Sequence, residues 1–194
     1  HVRSRRQRQM CIRDRIAGAT SSGKTTLANA LLAEIAATGD RVLVLEDTIE
    51  LQCAARDHVP LRTRAGVVSM TELVRSSMRL RPDRVVVGEV RGAEALDLIK
   101  VWGTGHPGGI ATIHAGSALG ALLRLEQLIL EVAVNPPRAL IAEAVNVVIH
   151  IAGRGRKRRI ESIARVVGFD GSGYQLADAL EAPFPELLPQ SDLS

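Results

Sequence analysis

The residues with the clearest chemical meaning form one short loop, the run GATSSGKT at positions 18–25, which fits the pattern GxxxxGK[ST]. In such a loop, backbone N–H groups and the positive end of the following helix surround a polyphosphate. Lys24 would reach the β- and γ-phosphates, and the Thr25 hydroxyl would bind Mg²⁺. The run therefore predicts a nucleoside triphosphate site, and the alternative is a glycine-rich turn without a ligand. The predicted nucleotide contacts are Gly18, Thr20, Ser22, Gly23, Lys24, Thr25 and Thr26.

Carboxylates follow two apolar runs farther along the chain. Residues 42–45 (VLVL) and 85–87 (VVV) are typical of buried strands. Open α/β sheets bind ligands at the carboxyl ends of their strands, so the acids that follow these runs are expected at that edge. Glu89 is the natural group to orient an attacking water or a metal-bound water, and the alternative is a surface glutamate. The acids after the first run are Glu46, Asp47 and Glu50.

Two histidines, His106 and His114, bracket another short apolar strand. A lone histidine is more often structural than catalytic, but a pair beside this sheet could report through hydrogen bonds whether a γ-phosphate is present. His114 is expected at the ligand edge. Neither is expected to bind a metal, because no cluster of Cys, His or carboxylate residues accompanies them.

Hydrophobic periodicity predicts the elements that hold these residues. The fold class is α/β, a mostly parallel sheet flanked by helices with a C-terminal antiparallel hairpin. An edge or irregular segment is expected over 57–65, and Ser69 with Glu72 has capping-box spacing. Helices are predicted over 26–37, 70–80, 93–101, 119–134 and 138–144, and strands over 41–45, 85–89, 107–113, 146–151, 159–169 and 174–176.

Length and composition favour one main domain. The 194 residues are 46% hydrophobic and only 2% aromatic, so the core is built from Val, Ile, Leu and Ala, as suits a parallel sheet covered by helices. No apolar run approaches the roughly 20 residues of a membrane span. Cys11 and Cys53 lack metal-ligand or redox spacing and fit reduced thiols in the cytosol.

The net charge of +4 is concentrated at the start of the chain, since residues 1–15 hold six arginines and one acid. The remaining residues hold 19 basic and 20 acidic side chains, which argues against direct nucleic-acid binding by the body of the protein. Residues 1–15 stand where an apolar strand should precede the loop, and only Ile16 and Ala17 remain of it. We interpret residues 1–15 as a disordered or non-native segment; the alternative is a basic arm for nucleic acid or membrane.

Two further segments lie outside the predicted core. The run 153–159 (GRGRKRR) forms the tip of the predicted hairpin, where it either contacts acidic partners or is a solvated turn. Residues 181–194 contain three prolines and are expected to be a disordered tail. The predicted organisation is therefore 1–15, a main domain over 16–180, and the tail.

Taken together, the loop, Glu46–Glu50, Val87–Arg91 and Thr104–His114 resemble the four conserved boxes of the secretion and pilus motor ATPases. The run Gly105–Gly109 resembles the branch that serves type IV secretion and conjugal transfer. The resemblance covers about residues 16–180, and four boxes in order are more specific than any single one. It implies a RecA-like motor domain that hydrolyses ATP with Mg²⁺.

The same resemblance implies roles for individual residues. Glu89 would position the attacking water, and Glu50 would assist it. Glu46 and Asp47 would support the Mg²⁺ shell, mostly through water, together with Thr25. His106 and His114 would form the histidine pair and Arg91 would lie near the nucleotide. Arg62 and Arg64 resemble an arginine-bearing segment that could act near phosphate, across a subunit interface.

The family implied by this resemblance works as hexameric rings at the cytoplasmic face of the bacterial inner membrane, together with secretion or conjugation components. Its members also have an N-terminal domain that is not present in residues 16–180. Three alternatives stay open: a pilus or type II secretion motor, a DNA-binding P-loop protein that grips phosphate with its arginines, and an inert fragment that does not turn over ATP.

Overall fold

An eight-stranded sheet organises the residues that the computed structural model describes, which are 13–19, 21–103 and 108–180, without the side chains of 13–15. The strands are β1 (Arg13–Gly18), β2 (Val42–Glu46), β3 (His58–Arg62), β4 (Arg84–Val87), β5 (Gly108–Ile113), β6 (Val147–Ala152), β7 (Arg159–Phe169) and β8 (Tyr174–Asp178). Their order across the sheet is β3-β2-β4-β5-β1-β6-β7-β8. The six strands from β3 to β6 run parallel, and β7 and β8 add antiparallel pairs. The predicted α/β architecture with its antiparallel hairpin is confirmed.

Five α-helices and two short 3₁₀ turns connect the described strands. The helices are α1 (Lys24–Ala36), α2 (Met70–Ser77), α3 (Glu94–Gly103), α4 (Ala118–Leu130) and α5 (Arg138–Ala144), and the turns are Met78–Leu80 and Gly155–Lys157. None of the helices in the described ranges combines the length and apolar character required to cross a bilayer.

Both faces of the sheet are buried at the central strands β2 and β4, which explains why these two strands are mainly apolar. Successive side chains of a strand point to opposite faces. Val42 and Val44 therefore pack on one face with Leu32 of α1, whereas Leu43 and Leu45 belong to a second cluster that includes residues of α2 to α5.

The predicted elements are confirmed, with differences at their ends. Ser69 accepts a hydrogen bond from the backbone of Glu72, whose carboxylate accepts one in return, so the predicted capping box starts α2. That helix ends at Ser77 because the chain tightens into the 3₁₀ turn. Similarly, α4 ends at Leu130 rather than at 134, since the N–H groups of Val132 and Ala133 both bond to the carbonyl of Ile129 in a closing turn.

The expectation that only Ile16 and Ala17 remain of the first strand is wrong. β1 begins at Arg13 and is hydrogen-bonded on both sides, with Arg13 opposite Gly109 of β5 and Asp14 opposite Val147 of β6. Backbone pairing with two neighbours thus forms a strand where the side-chain pattern did not indicate one.

A stability prediction follows from the close contact of Gly109 with its neighbours. A Cβ at Gly109 would lie 2.4 Å from the carbonyl oxygen of Val85 and 2.5 Å from Nε1 of Trp102, which is fully buried. We expect Gly109→Ala to lower the free energy of unfolding in urea by about 1–3 kcal/mol, because neither neighbour can move freely. Gly168→Ala on β7 is the matched control, since nothing lies within 4 Å of its Cβ position. Equal stability of the two variants would contradict the predicted clash.

Candidate active site

The phosphate-binding loop joins β1 to α1 and is shaped by two residues with positive φ. Ser21 has φ 63° and Gly23 has φ 101°, and Gly23 is the N-cap of α1. Lys24, the first residue of the helix, folds back over the loop and donates hydrogen bonds to the carbonyl oxygens of Gly18 at 3.0 Å and Ala19 at 3.1 Å. Its ammonium group is thereby held at the carboxyl edge of the sheet.

His114 connects Lys24 to Glu89. The imidazole Nδ1 lies 3.5 Å from Nζ of Lys24, and Nε2 lies 2.8 Å from Oε1 of Glu89. A proton on Nε2 with a free lone pair on Nδ1 satisfies both contacts, because the lysine can only donate and the carboxylate can only accept. The expected position of His114 at this edge agrees with the structure, and Lys24 and Glu89 lie at the same rim of the sheet.

The second oxygen of Glu89 is bound by Arg91. Nη2 of Arg91 donates to Oε2 of Glu89, and Nη1 of Arg91 lies 4.0 Å from Oδ2 of Asp47. The hydrogen bond to Glu89 raises the pKa of Arg91 above its ordinary value. The Glu89 carboxylate is thus fixed between a histidine and an arginine, and its side chain is only 18% exposed.

Glu50 is tied to the first turn of α1. Oγ1 of Thr25 donates to Oε2 of Glu50 at 2.9 Å. Asn29, one turn farther along α1, holds the backbone between Glu50 and Gln52: its amide N–H donates to the carbonyl of Glu50 at 3.1 Å, and its carbonyl oxygen accepts from the N–H of Gln52 at 2.8 Å. Thr25, predicted to bind Mg²⁺, and Glu50, predicted to assist the attacking water, are therefore in contact.

Glu46 is buried and binds its own loop. Its Oε1 accepts the N–H groups of Glu50 at 3.0 Å and Leu51 at 2.8 Å, and the residue is 5% exposed. A Cβ at Gly88 would lie 3.2 Å from Cγ of Glu46, so glycine at this position leaves room for the glutamate. These contacts show Glu46 supporting the loop that carries Glu50. Its predicted part in a metal shell stays a prediction.

Asp47 lies next to Glu46 at the same edge. Its Oδ1 accepts the hydroxyl of Thr63 at 2.7 Å. Arg62 pairs in register with Glu46 across β2 and β3, but neither Arg62 nor Arg64 lines the cavity described below. Their action across an interface stays a prediction.

One cavity of about 370 Å³ brings most of the predicted residues together. Its lining includes eight of them: Lys24, Thr25, Glu46, Asp47, Glu50, Glu89, Arg91 and His114. Ser22, Gly23 and Thr26 instead line a neighbouring groove, and Gly18 ends β1 beneath the loop. Thr20 and His106 lie outside the described residues.

Burial and the neighbouring carboxylates shift the pKa of Lys24 in opposite directions. Burial lowers the pKa of Lys24 below its ordinary value and is the largest effect, whereas the carboxylates of Glu89 and Glu50 raise it. Lys24 is 8% exposed. An ammonium group that has lost water and faces carboxylates is suited to an incoming anion, because phosphate oxygens would replace the missing solvation.

Three supporting residues could not be identified from spacing alone. The first is Asn29, which binds the backbone of Glu50 and Gln52. The second is Thr112 of β5, whose hydroxyl donates to the carbonyl of Gly88 at 2.6 Å and fixes the turn before Glu89. Glu94 accepts the N–H groups of Arg91 at 2.6 Å and Gly92 at 2.9 Å at the start of α3. The only available signal for Glu94 was an acid in the first turn of a predicted helix, a common capping feature.

The oxygen atoms of this cavity fit Mg²⁺. Thr25, Glu50 and Asp47 offer hydroxyl and carboxylate oxygens, the ligands that Mg²⁺ prefers. Within the described ranges, no group of three or more His, Cys, Asp or Glu residues could hold a metal by itself. A magnesium ion here would take few protein ligands and complete its shell with phosphate oxygens and water.

Comparisons with known proteins identify relatives of this chain. The chain is 51% identical over 162 residues to the conjugal transfer protein TrbB of Rhizobium radiobacter, covering 82% of this chain and 50% of that protein. It is 38% identical to the type IV secretion system protein PtlH of Bordetella pertussis, over 76% of this chain and 48% of that protein. The chain thus spans about half the length of these relatives.

A solved structure gives the same relationship in three dimensions. The VirB11 ATPase from the Brucella suis type IV secretion system, crystallised with sulphate, superposes with a TM-score of 0.74 and 34% identity over 83% of this chain and 50% of that one. The family described as Type II/IV secretion system protein matches residues 5–161, most of the chain. On this match, together with the loop, acids and histidine assembled at one edge of the sheet, the chain belongs to the Type II/IV secretion system protein family.

Proposed function

We propose that this chain is the motor domain of an ATPase that powers type IV secretion or conjugal DNA transfer. The observation that carries the proposal is the contact chain from Lys24 through His114 to Glu89, by which an ammonium group and a carboxylate share one cavity. The relatives named above support the biological process.

The charged residues of the cavity and Thr25 each have a role in this mechanism. Lys24 binds the β- and γ-phosphates, exchanging one or more of its contacts with Gly18, Ala19 and His114 for phosphate oxygens. Thr25 and Glu50 would hold Mg²⁺, and Asp47 and Glu46 would support it, mostly through water. The ion would supply positive charge that neutralises the phosphate oxygens.

Glu89 orients the attacking water. A carboxylate has about four acceptor positions, and His114 and Arg91 occupy two of those of Glu89. The remaining lone pairs can accept a proton of water, while the two partners prevent the carboxylate from rotating. Arg91 also places positive charge beside the reacting phosphate, where negative charge develops.

His114 links nucleotide state to the rest of the protein. When Lys24 turns to phosphate, Nδ1 of His114 loses its donor, and release of phosphate restores it. His114 directly follows β5, so this change acts on the end of a central strand of the sheet. We infer that His106 completes this relay and that the change drives movement between subunits.

We further propose that the working form is a homo-oligomer, a hexameric ring, at the cytoplasmic face of the bacterial inner membrane. Its partners would be the inner-membrane components of a secretion or conjugation system. The family membership and the type IV secretion relatives support this assignment.

The proposal predicts release of inorganic phosphate from ATP that requires Mg²⁺. Addition of EDTA should abolish the release, because Thr25 and Glu50 act through the metal, and Thr25→Val should lower the rate by about 100-fold or more in saturating Mg²⁺, comparable to the loss of a preorganised charge-stabilising group. The matched control is Thr38→Val in the turn after α1, whose hydroxyl binds only local backbone. Phosphate release that persists in EDTA would contradict the Mg²⁺ requirement, and a chain that binds Mg-ATP without turnover would contradict catalysis by this chain.

A further inference from the structure

Glu50 lies in a connection that has no regular structure of its own. Residues 47–57 join β2 to β3, and none of them belongs to a helix or a strand. Neither a helical turn nor a strand ladder therefore fixes the main chain at Glu50. Its backbone N–H and C=O groups, and the N–H groups of Leu51 and Gln52, are bound by side chains instead. The place of Glu50 in the cavity thus depends on a few side-chain contacts.

Asn29 of α1 supplies two of these contacts with one amide group. Its Nδ2 donates to the carbonyl of Glu50 at 3.1 Å, and its Oδ1 accepts the N–H of Gln52 at 2.8 Å. The pair of bonds requires a donor and an acceptor side by side, because a reversed amide would face oxygen to oxygen and N–H to N–H. Ionised aspartate only accepts hydrogen bonds and leucine forms none. The backbone at Glu50 and Gln52 therefore selects an amide at position 29.

This anchor is separate from the side-chain contact of Glu50. Thr25 and Asn29 are four residues apart on α1, so they share one face of the helix. Thr25 binds the carboxylate of Glu50, whereas Asn29 binds its main chain, so the second bond remains when the first one opens. From the other side, Glu46 at the end of β2 accepts the N–H groups of Glu50 and Leu51. The main chain of Glu50 is thus held between α1 and β2.

We propose that Asn29 is a positioning residue that determines how tightly Thr25 and Glu50 bind a divalent cation. The inference rests on the proposed function, because it needs these two residues to hold Mg²⁺. Loss of a hydrogen-bonding partner behind a metal-binding side chain typically costs 10- to 100-fold in metal affinity. Asn29 does not line the cavity, so its effect on the cation passes through Glu50.

The test uses Mn²⁺, which prefers the same oxygen ligands as Mg²⁺ and is counted as free ion by electron paramagnetic resonance. Asn29→Leu keeps the size of the side chain and removes both hydrogen bonds, so we expect it to weaken Mn²⁺ binding to the chain with ADP about tenfold. ADP binding in EDTA, measured by isothermal titration calorimetry, should stay unchanged because Lys24 is untouched. Asn29→Ala should behave alike, since alanine favours a helix and adds no bulk.

The matched control for lost stability is Ser77→Ala. It removes the hydrogen bond from the buried Ser77 hydroxyl to the carbonyl of Val74 in α2, and it should leave both affinities unchanged. Thermal melting compares the stability of the variants. An equal loss of Mn²⁺ affinity in Ser77→Ala and Asn29→Leu would overturn the inference, because general destabilisation would then explain both.

Hydrogen exchange measured by NMR tests the anchor without metal or nucleotide. In Asn29→Leu the Gln52 N–H should lose its protection, whereas the Leu51 N–H keeps its acceptor on Glu46. Unchanged protection of Gln52, or unchanged Mn²⁺ affinity in a folded Asn29 variant, would overturn the inference and leave the proposed function standing. An unmodified chain that binds ADP but no Mn²⁺ would instead overturn the proposed metal site and, with it, this inference.

Discussion

We expect Glu89→Gln to lower the steady-state rate of phosphate release by about 100- to 10,000-fold, the range for loss of a positioned acid–base group. The carboxylate is the only acidic group in contact with both His114 and Arg91 within the described residues, and each of its oxygens has one of these partners. Glutamine offers one acceptor oxygen and a donating amide, so one partner must lose its acceptor. We therefore expect that neither the attacking water nor the His114 ring is held in its position.

Nucleotide binding should survive this change, because Lys24 and Thr25 are untouched. The dissociation constant for Mg-ATP, measured alongside phosphate release, should therefore change little compared with the rate. Glu34→Gln, on an exposed position of α1, is the matched control and should behave like the unmodified chain. A Glu89→Gln variant that retains more than about a tenth of the rate would exclude Glu89 as the residue that positions water, since such a loss is smaller than acid–base catalysis accounts for.

The loop and the strand-end acids could be predicted because both depend on local sequence. The loop is a contiguous pattern, and an acid directly after an apolar run must lie at the end of a strand. Glu89 and His114 follow β4 and β5, which are adjacent and parallel in the sheet. Their proximity was thus predictable from the rule that parallel strands share one carboxyl edge.

The side-chain contacts within the site could not be predicted, because they join residues far apart in sequence. The contact of Lys24 with His114 spans 90 positions, and that of Asn29 with the backbone of Glu50 spans 21. Glu46 was expected only near metal, and its burial depends on the missing side chain at Gly88, which directly follows the neighbouring strand β4. No pattern within either segment alone reveals that pairing.

The extent of β1 illustrates a different limit. Arg13, Asp14 and Arg15 do not form an apolar run, yet all three are paired with β5, and Asp14 and Arg15 are also paired with β6. Each backbone N–H and C=O in a central strand has a partner, and that pairing stabilises the strand regardless of the side chains it carries. Hydrophobic pattern therefore predicts which strands are buried more reliably than it predicts where they begin.

Lys24→Met should abolish catalysis without destabilising the fold. Methionine keeps most of the side-chain length but removes the cation that binds the β- and γ-phosphates, so phosphate release should fall by at least about 100- to 1,000-fold, comparable to loss of one preorganised group that stabilises transition-state charge. Mg-ATP binding should weaken as well, which distinguishes this variant from Glu89→Gln. Lys100→Met, exposed in the last turn of α3, is the matched control.

The stability of Lys24→Met provides the second measurement, and its sign follows from the pKa of the lysine. Burial lowers the folded-state pKa of Lys24 below its ordinary value of 10.5, so the unfolded chain binds this proton more tightly than the folded one. The charged lysine therefore costs stability at neutral pH, and this cost disappears as pH rises through the lowered pKa toward 10.5. Lys24→Met should be at least as stable as the unmodified chain at pH 7 in urea unfolding, and it should lack the corresponding rise of stability at alkaline pH.

A less stable variant would mean that the hydrogen bonds of Lys24 to Gly18 and Ala19 outweigh the cost of burying its charge. A more stable but inactive one would show that this lysine is kept for phosphate binding at the expense of the fold.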